Sequence, residues 1–356
     1  MSLTSYRAAP PRAKDRTTSS PARGLCSNLV GEWEAQVGQN LVLSSMARMP
    51  NGSDHKDASS GGVHVPDVLR EIARGALTEA RTAITDPNLP EAEAIHDFRK
   101  GMKRWRAHLR LVEPFLGDEG KRLRTEARDL ARLLAGARDA QTARDALEDL
   151  GKLDESARET TPLLSDRSLA TVTARLDAVR TQAEGVSLTP DTRRQIDEIL
   201  LAATEGVKYW PIGHLSFRDV ATELAGHYAR ARKAIPDDWQ TSHPETLHEM
   251  RQKVVIHRYQ MEIVAPLWPR FGEFWIGESQ RLRDRLGHHQ DLIILAGFTE
   301  PHGPLAPWRS RLVPLIAARR AEHVAVAARL AGRLFADSPR SFRRRLLALW
   351  EHRVPQ

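Results

Sequence analysis

The sequence predicts an all-α protein made of two similar helical-bundle lobes, and three observations carry that expectation. Apolar residues recur at spacings of three and four from residue 63 onward, and no stretch alternates as a strand would. Turn and capping residues cut this periodic stretch into pieces of helix length. The second half also repeats the first at a constant offset of 152 residues, taking His96 to His248, Asp97 to Glu249, Arg99 to Arg251, Arg106 to Arg258, Pro114 to Pro266, Leu134 to Leu286 and Asp139 to Asp291 without a gap. One matched histidine is easily chance; this whole set in one register is an internal duplication.

Taken in order, residues 1–62 are rich in Ser, Pro, Gly and Arg and lack the apolar content to order themselves, so they are read as a disordered tail. Within them, a short amphipathic piece around Trp33–Leu43 is a weak helix candidate, and Met46 and Met49 are candidate true start sites. The domain spans 63–355, with repeat one over about 63–207 and repeat two over about 215–355. Pro66 and Asp67 open its first helix, which carries Val68, Leu69, Ile72, Ala76 and Leu77 on one face. Asp86-Pro87 and Pro90 make the connection, and Glu91 and Glu93 suit the first turn of the next helix. That helix is expected to break near Pro114 and Gly117. Helices follow near 118–137, 139–150, 166–183 and 191–207, then from Phe217, and near 245–267, 270–288, 308–334 and 338–352. The offset of 152 also takes Val68 to Val220, Glu71 to Glu223, Ile72 to Leu224 and Asp86 to Asp238, so the repeat extends upstream of the histidine.

Composition narrows the chemistry. Charged residues make up 28% and hydrophobic ones 41% of 356 residues, a globular balance. The net charge is +7 and the pI about 9.8, which favours an anionic partner. The first 60 residues supply +2 of it (seven Lys/Arg less five Asp/Glu), so the basic character belongs mainly to the folded part. Cys26 is the single cysteine and lies in the tail, which excludes a disulfide scaffold, a zinc–thiolate site and a cysteine nucleophile in the core. No run reaches the apolar length of a membrane span, and the N-terminus has no apolar secretory core, so a cytoplasmic protein is expected.

The duplicated helix opening carries the functional signal. Ile95 to Arg106 reads as a basic helix, and with 100° per residue the groups His96, Arg99, Lys103, Arg106 and Arg110 fall on one stripe about 80° wide and about 21 Å long. A basic stripe is ordinarily a solvated face, but this one is aligned with a histidine and partly recurs in the second copy. Like charges three and four apart repel, and a polyanion lying along the row would offset that. In the second copy His248, Arg251 and Arg258 keep the stripe, while Val255, Ile256 and Glu262 stand where the first copy has Lys103, Arg104 and Arg110. The first repeat is therefore expected to carry most of the charge.

These residues resemble the CHAD family, the conserved histidine α-helical domain. The resemblance rests on His96, Arg99, Lys103, Arg104, Arg106 and Asp139 in the first copy, and on His248, Arg251, Arg258, Tyr259, Leu286, Gly287 and Asp291 in the second. The opening Val68-Leu69-Arg70-Glu71 is also similar to the family's first helix. The resemblance implies a two-lobed helical fold of approximate two-fold symmetry with a basic central groove or pore that binds inorganic polyphosphate, often on polyphosphate granules. It departs from the family at Val255 and Ile256, where a basic pair is usual, and Gln290 replaces the arginine that precedes Asp139. Many relatives carry a preceding triphosphate-tunnel domain with an alternating Glu-x-Glu-x-Lys strand; this sequence has no such strand and is read as a stand-alone binder.

The expected site follows. His96, Arg99, Lys100, Lys103, Arg104, Arg106, Arg110 and Arg138 form the main wall, opposed by His248, Arg251, Lys253 and Arg258, with Asp139, Asp291 and Tyr259 as orienting groups. Arginine forks and lysine point charges suit phosphate oxygens. His96 and His248 either contact the ligand or are structural; both roles stay open. Other polyanions are admissible partners, and the oligomeric state is open.

Catalysis is not expected: His288, His289 and Asp291 are a poor metal fragment because adjacent histidines diverge on a helix, and no phosphate-cradling glycine motif occurs. No metal or other cofactor is expected. A polyphosphate hydrolase using His96 as acid is the minor alternative. The stronger one is a non-specific nucleic-acid binder using Arg309, Arg311, Arg319, Arg320 and Arg343 to Arg345, although no zinc finger or aromatic platform accompanies them. Trp105, Trp268 and Trp275 read as packing residues.

Overall fold

The computed structural model describes residues 64–134, 139–151, 164–183 and 188–353, and within them every regular element is a helix. The tail expectations (Cys26, Trp33–Leu43, Met46 and Met49) and Arg138 lie outside the described residues. The α-helices are α1 Val65–Thr85, α2 Glu91–Leu116, α3 Asp118–Leu133, α4 Asp139–Gly151, α5 Asp166–Ala183, α6 Pro190–Gly206, α7 Phe217–Lys233, α8 Pro244–Val264, α9 Pro269–Phe298, α10 Arg309–Leu334 and α11 Pro339–Glu351. Short 3-10 turns cover Val207–Tyr209, Ala265–Leu267 and Ala306–Trp308. The starts Val65 and Phe217, Glu91 and Pro244, and Asp118 and Pro269 are 152, 153 and 151 residues apart, parallel to the sequence register.

Local chemistry accounts for the ends. α1 has proline in its first turn, α7 a capping box between Ser216 and Asp219, and α11 a Ser338 side chain accepting from Ser341 N–H. α2 buries Phe98, Met102, Trp105, Leu109 and Val112, a helical spacing of four and three.

The expected break near Pro114 and Gly117 falls at Gly117: α2 carries Pro114 inside its last turn, runs to Leu116 and is capped by Gly117, whose φ is +59°. Proline removes the donor that would meet the Arg110 carbonyl. His227 of α7 fills that place, with its Nε2 3.2 Å from the Arg110 oxygen. A carbonyl only accepts, so the ring proton sits on Nε2. α9 also runs ten residues past its expected end at 288, to Phe298.

The buried core does not divide at the repeat boundary. One cluster joins α1, α2, α3, α6, α7, α8, α11, the first part of α9 and the second half of α10. A second is built from Ala143, Ala146, Leu147 and Leu150 of α4 and Val172 and Leu176 of α5, with Leu292 and Leu295 of α9 and Leu312 and Ile316 of α10. Helices α4 and α5, from the first half, thus share a core with α9 and α10 of the second.

A buried ion cluster ties the same elements: Asp149 on α4 accepts from Arg319 Nε at 3.0 Å and Nη2 at 2.8 Å, and lies 2.7 Å from His323 Nε2. Between the halves, α2 packs on α8, where Gln260 donates to the Ala107 carbonyl at 3.1 Å.

Five described histidines are buried by this packing, and in four of them burial, the first cause in each case, disfavours the charged form. His108, His227 and His289 are pushed down to about 4, and His257 to about 3. Each would take a proton near pH 6.5 in the unfolded chain. Below that pH the unfolded state binds more protons than the folded one, so stability falls as pH drops from about 6.5 towards 4. Thermal unfolding followed across this range is expected to show a steep, continuous loss of Tm; a flat profile would show that these rings are not held neutral.

Candidate anion-binding site

Helix α2 places Arg99, Lys103, Arg106 and Arg110 within about 60° of one another, because their spacings of four, three and four follow the helical turn. All four are half-buried. Helix α3 packs against α2 and presents Arg124, Arg128 and Arg132 at spacings of four. Burial, then the neighbouring charges of Arg124, Arg128 and Arg132, hold the Arg106 guanidinium below its ordinary value. Arg110 is pushed down to about 10 by burial, Arg124 and Arg106, against a partial offset from Glu113 and with a further push from Arg230 of α7.

Two carboxylates meet this group. Glu113 pairs with Arg124, and Asp129 lies 2.9 Å from Arg128 and 3.4 Å from Arg132. Six guanidiniums (Arg106, Arg110, Arg124, Arg128, Arg132 and Arg230) therefore stand against two carboxylates in these pairs, a balance of +4 (6 − 2). His227 at the edge is neutral at pH 7, held down by burial and then Arg230.

The second half looks different at the same register. Arg258 pairs with Glu262 at 3.0 Å and lies 4.5 Å over the Tyr259 ring, whose hydroxyl donates to the Lys100 carbonyl at 3.4 Å. Glu262 stands where the first copy has Arg110. It also takes Arg104 Nε at 2.7 Å, while Arg104 Nη1 meets Glu79 at 2.7 Å. With its side chain 12% exposed between two carboxylates, Arg104 joins α1, α2 and α8 and does not belong to an open wall, a correction to the sequence expectation.

Lys253 is paired with Glu249, and Arg251 lies over Gly287, where an added Cβ would sit 3.4 Å from its Nε. Lys100 is lowered by burial, Arg258 and Arg283, with Glu262 opposing. Arg258 of the second half thus acts on Lys100 of α2, while α3 and Arg230 supply the cations nearest Arg106 and Arg110.

The remaining expected residues are placed as follows. His96 is exposed, its side chain 75% accessible, with Nε2 4.0 Å from Asp97. His248 is half-buried, and its Nδ1 is buried with no hydrogen-bond partner. Asp139 is exposed in the first turn of α4 and, among the described residues, makes no hydrogen bond to a histidine or arginine. Asp291 is half-buried on α9, where its charge acts on His288. Trp105 and Trp275 are buried as expected, but Trp268 is 53% exposed and stacks on Phe271.

Sequence reasoning missed Arg124, Arg128, Arg132 and Arg230. The first three were signalled by their four-residue spacing, whereas only the packing of α7 beside α2 brings in Arg230. Among the described residues no group of three or more His, Cys, Asp or Glu could hold a metal, and no helix is long and apolar enough to cross a membrane.

Fold and cluster together define a class: an all-helical protein with one arginine-dense face whose charge is only partly balanced from within. The chain belongs to the CHAD domain family, whose profile matches residues 69–300. Among solved structures it is similar to the crystal structure of the CHAD domain from the plant Ricinus communis, at 18% identity and a TM-score of 0.44, over 84% of this chain and 96% of that one. The family assignment rests on the sequence match. No curated protein matches the chain.

Proposed function

We propose that this protein binds inorganic polyphosphate along the arginine cluster of α2, α3 and α7, acts as a binder without catalysis, and associates with polyphosphate granules. The CHAD family is associated with polyphosphate and triphosphate binding in general. The observation that carries the reading is the imbalance of six guanidiniums to two carboxylates on one partly exposed face. A linear anion with charge on every unit and no base edges needs forked donors and positive potential rather than shape-specific pockets. Arg99 and Lys103 continue the same line towards the exposed His96.

The nucleic-acid reading loses part of its support. Arg319 is 5% exposed and held by Asp149, Arg309 pairs with Glu300 at 3.0 Å, Arg345 pairs with Asp337 at 2.8 Å, and Arg343 donates to Thr222 at 2.9 Å. These arginines serve separate structural contacts.

The test is binding of long-chain polyphosphate near physiological ionic strength, about 0.15 M, competed with RNA and DNA. Displacement by polyphosphate far better than by either nucleic acid is expected, with affinity falling as salt rises. Equal displacement by RNA would reduce the site to a generic basic surface. Release of inorganic phosphate on incubation would favour the hydrolase instead.

A further inference from the structure

The corner between α8 and α9 is built like the corner between α2 and α3 but carries a different surface. In each, a glycine of the second helix packs on the backbone of the first: a Cβ on Gly120 would stand 2.8 Å from Glu113 Cα, and one on Gly272 2.3 Å from Ala265 Cα. Both residues of the second contact lie 152 positions after those of the first. The α2–α3 corner is charged and satisfied from within, with Asp118 and Lys121 paired at 2.8 Å and Glu119 and Arg122 at 2.6 Å. At the same offset, Arg270 and Glu273 replace Asp118 and Lys121, and Phe271 and Phe274 replace Glu119 and Arg122. The buried Leu116 gives way to Trp268, which is 53% exposed and stacks on Phe271 at 5.1 Å, while Phe274 is 65% exposed. Packing does not require these rings, since the first half makes the same corner without them.

The charges beside the rings are unmet as well. Arg270 and Glu273 are exposed, and among the described residues neither forms an ion pair. Arg270 also stands in a first turn that holds no acidic residue, whereas α3 opens on Asp118 and Glu119. A cation is on the unfavourable end of the helix dipole there. With 100° per residue, Arg270, Glu273 and Phe274 fall within about 100° of one another on the outward face of α9. An acid and a base one turn apart, beside exposed rings, complement a second copy of themselves. A two-fold contact sets residue i against j and j against i, so two α9 N-termini crossed antiparallel bring Arg270 to Glu273 of the partner subunit, twice, and cover the rings from both sides.

We infer that the α8–α9 corner is a self-association surface, on which two copies of this chain form a two-fold dimer through Trp268, Phe271 and Phe274 with reciprocal Arg270–Glu273 pairs at the rim. The exposed parts of Trp268 and Phe274 amount to roughly 250 Å² per copy, from the area that such side chains bury. An interface is a little more than half apolar, so the whole contact is roughly 900 Å². That size belongs to weak, concentration-dependent pairs. The surface shares no residue with the α2–α3–α7 cluster and does not rest on the polyphosphate reading.

The experiment is sedimentation velocity of the full chain without polyphosphate, from about 1 µM to about 1 mM, the range in which so small an interface associates. A reversible monomer–dimer equilibrium is expected. Phe274→Arg, which installs the residue type of the first corner, should weaken it by at least about tenfold with Tm unchanged. Arg270→Glu and Glu273→Arg each set like charges against one another at both ends of the contact and should weaken it by about tenfold. Mixed one to one, these two variants regain both opposite-charge pairs and should associate as the wild type does, which mere stickiness of the rings would not produce. A chain that stays monomeric throughout the range would overturn the inference. So would a dimer that persists unweakened in folded Phe274→Arg, or a mixture that regains nothing. If the monomer instead binds phosphatidylglycerol vesicles through Phe274, the corner serves a lipid surface and the inference likewise falls.

Discussion

Replacing Arg106 and Arg110 together by glutamine is expected to weaken polyphosphate binding by about a hundredfold at physiological salt, without lowering the unfolding temperature. The size follows from losing two charge-assisted contacts at roughly 1.5 kcal/mol each, the low end of their range. The second half of the expectation is the sharper one. Arg106 and Arg110 face Arg124, Arg128, Arg132 and Arg230, and that proximity, after burial, makes their charged forms less favourable than usual. Removing two like charges from such a group relieves repulsion in the ligand-free protein, so Tm should hold or rise. A structural role predicts the reverse, a fall in Tm with little specific loss of binding. Isothermal titration with polyphosphate and thermal unfolding on the same samples separate the two. Arg104→Gln is the contrasting variant: it strands Glu79, leaves Glu262 with Arg258 alone at a buried three-helix junction, and should lose stability.

The largest stability effect is expected at Asp149. Asp149→Ala leaves Arg319, 5% exposed, and His323, 1% exposed, without their shared acceptor. Breaking a buried pair from one side typically costs about 3–5 kcal/mol, because the remaining charge stays desolvated. Chemical denaturation should show a loss of that order; a loss below about 1 kcal/mol, the range of a surface pair, would mean water reaches the cluster. The pH dependence has a definite sign. Burial works to raise the Asp149 pKa, but the hydrogen bonds from His323 and Arg319 and their charges outweigh it and hold the carboxyl well below the usual range. A lowered carboxyl contributes stability above its unfolded pKa near 3.9, and that contribution fades as pH falls below it. Acid loss from Asp149 therefore begins only after the buried histidines have exacted theirs.

Much of this molecule was legible because helix periodicity and capping are local. The starts at Val65, Glu91, Asp139, Asp166 and Phe217 follow from proline, acidic first turns and apolar spacing within a few residues. The α2 stripe was equally local: four basic residues at three-and-four spacing share a face whatever the rest of the chain does. The end of α2 at Gly117 was legible too, but not how Pro114 fits inside its last turn: a histidine more than a hundred residues away supplies the donor that the Arg110 carbonyl lacks.

By itself, then, the sequence determined the helical class, the helix starts and the basic line on α2, since each depends on residues close in the chain. Tertiary structure alone decided which cations remain available. Arg104 and Arg110 are similar in sequence terms, yet one lies between Glu79 and Glu262 and the other faces Arg124 and Arg230. Charge compensation acts through space over a few ångströms, and the partners that set it come from other helices.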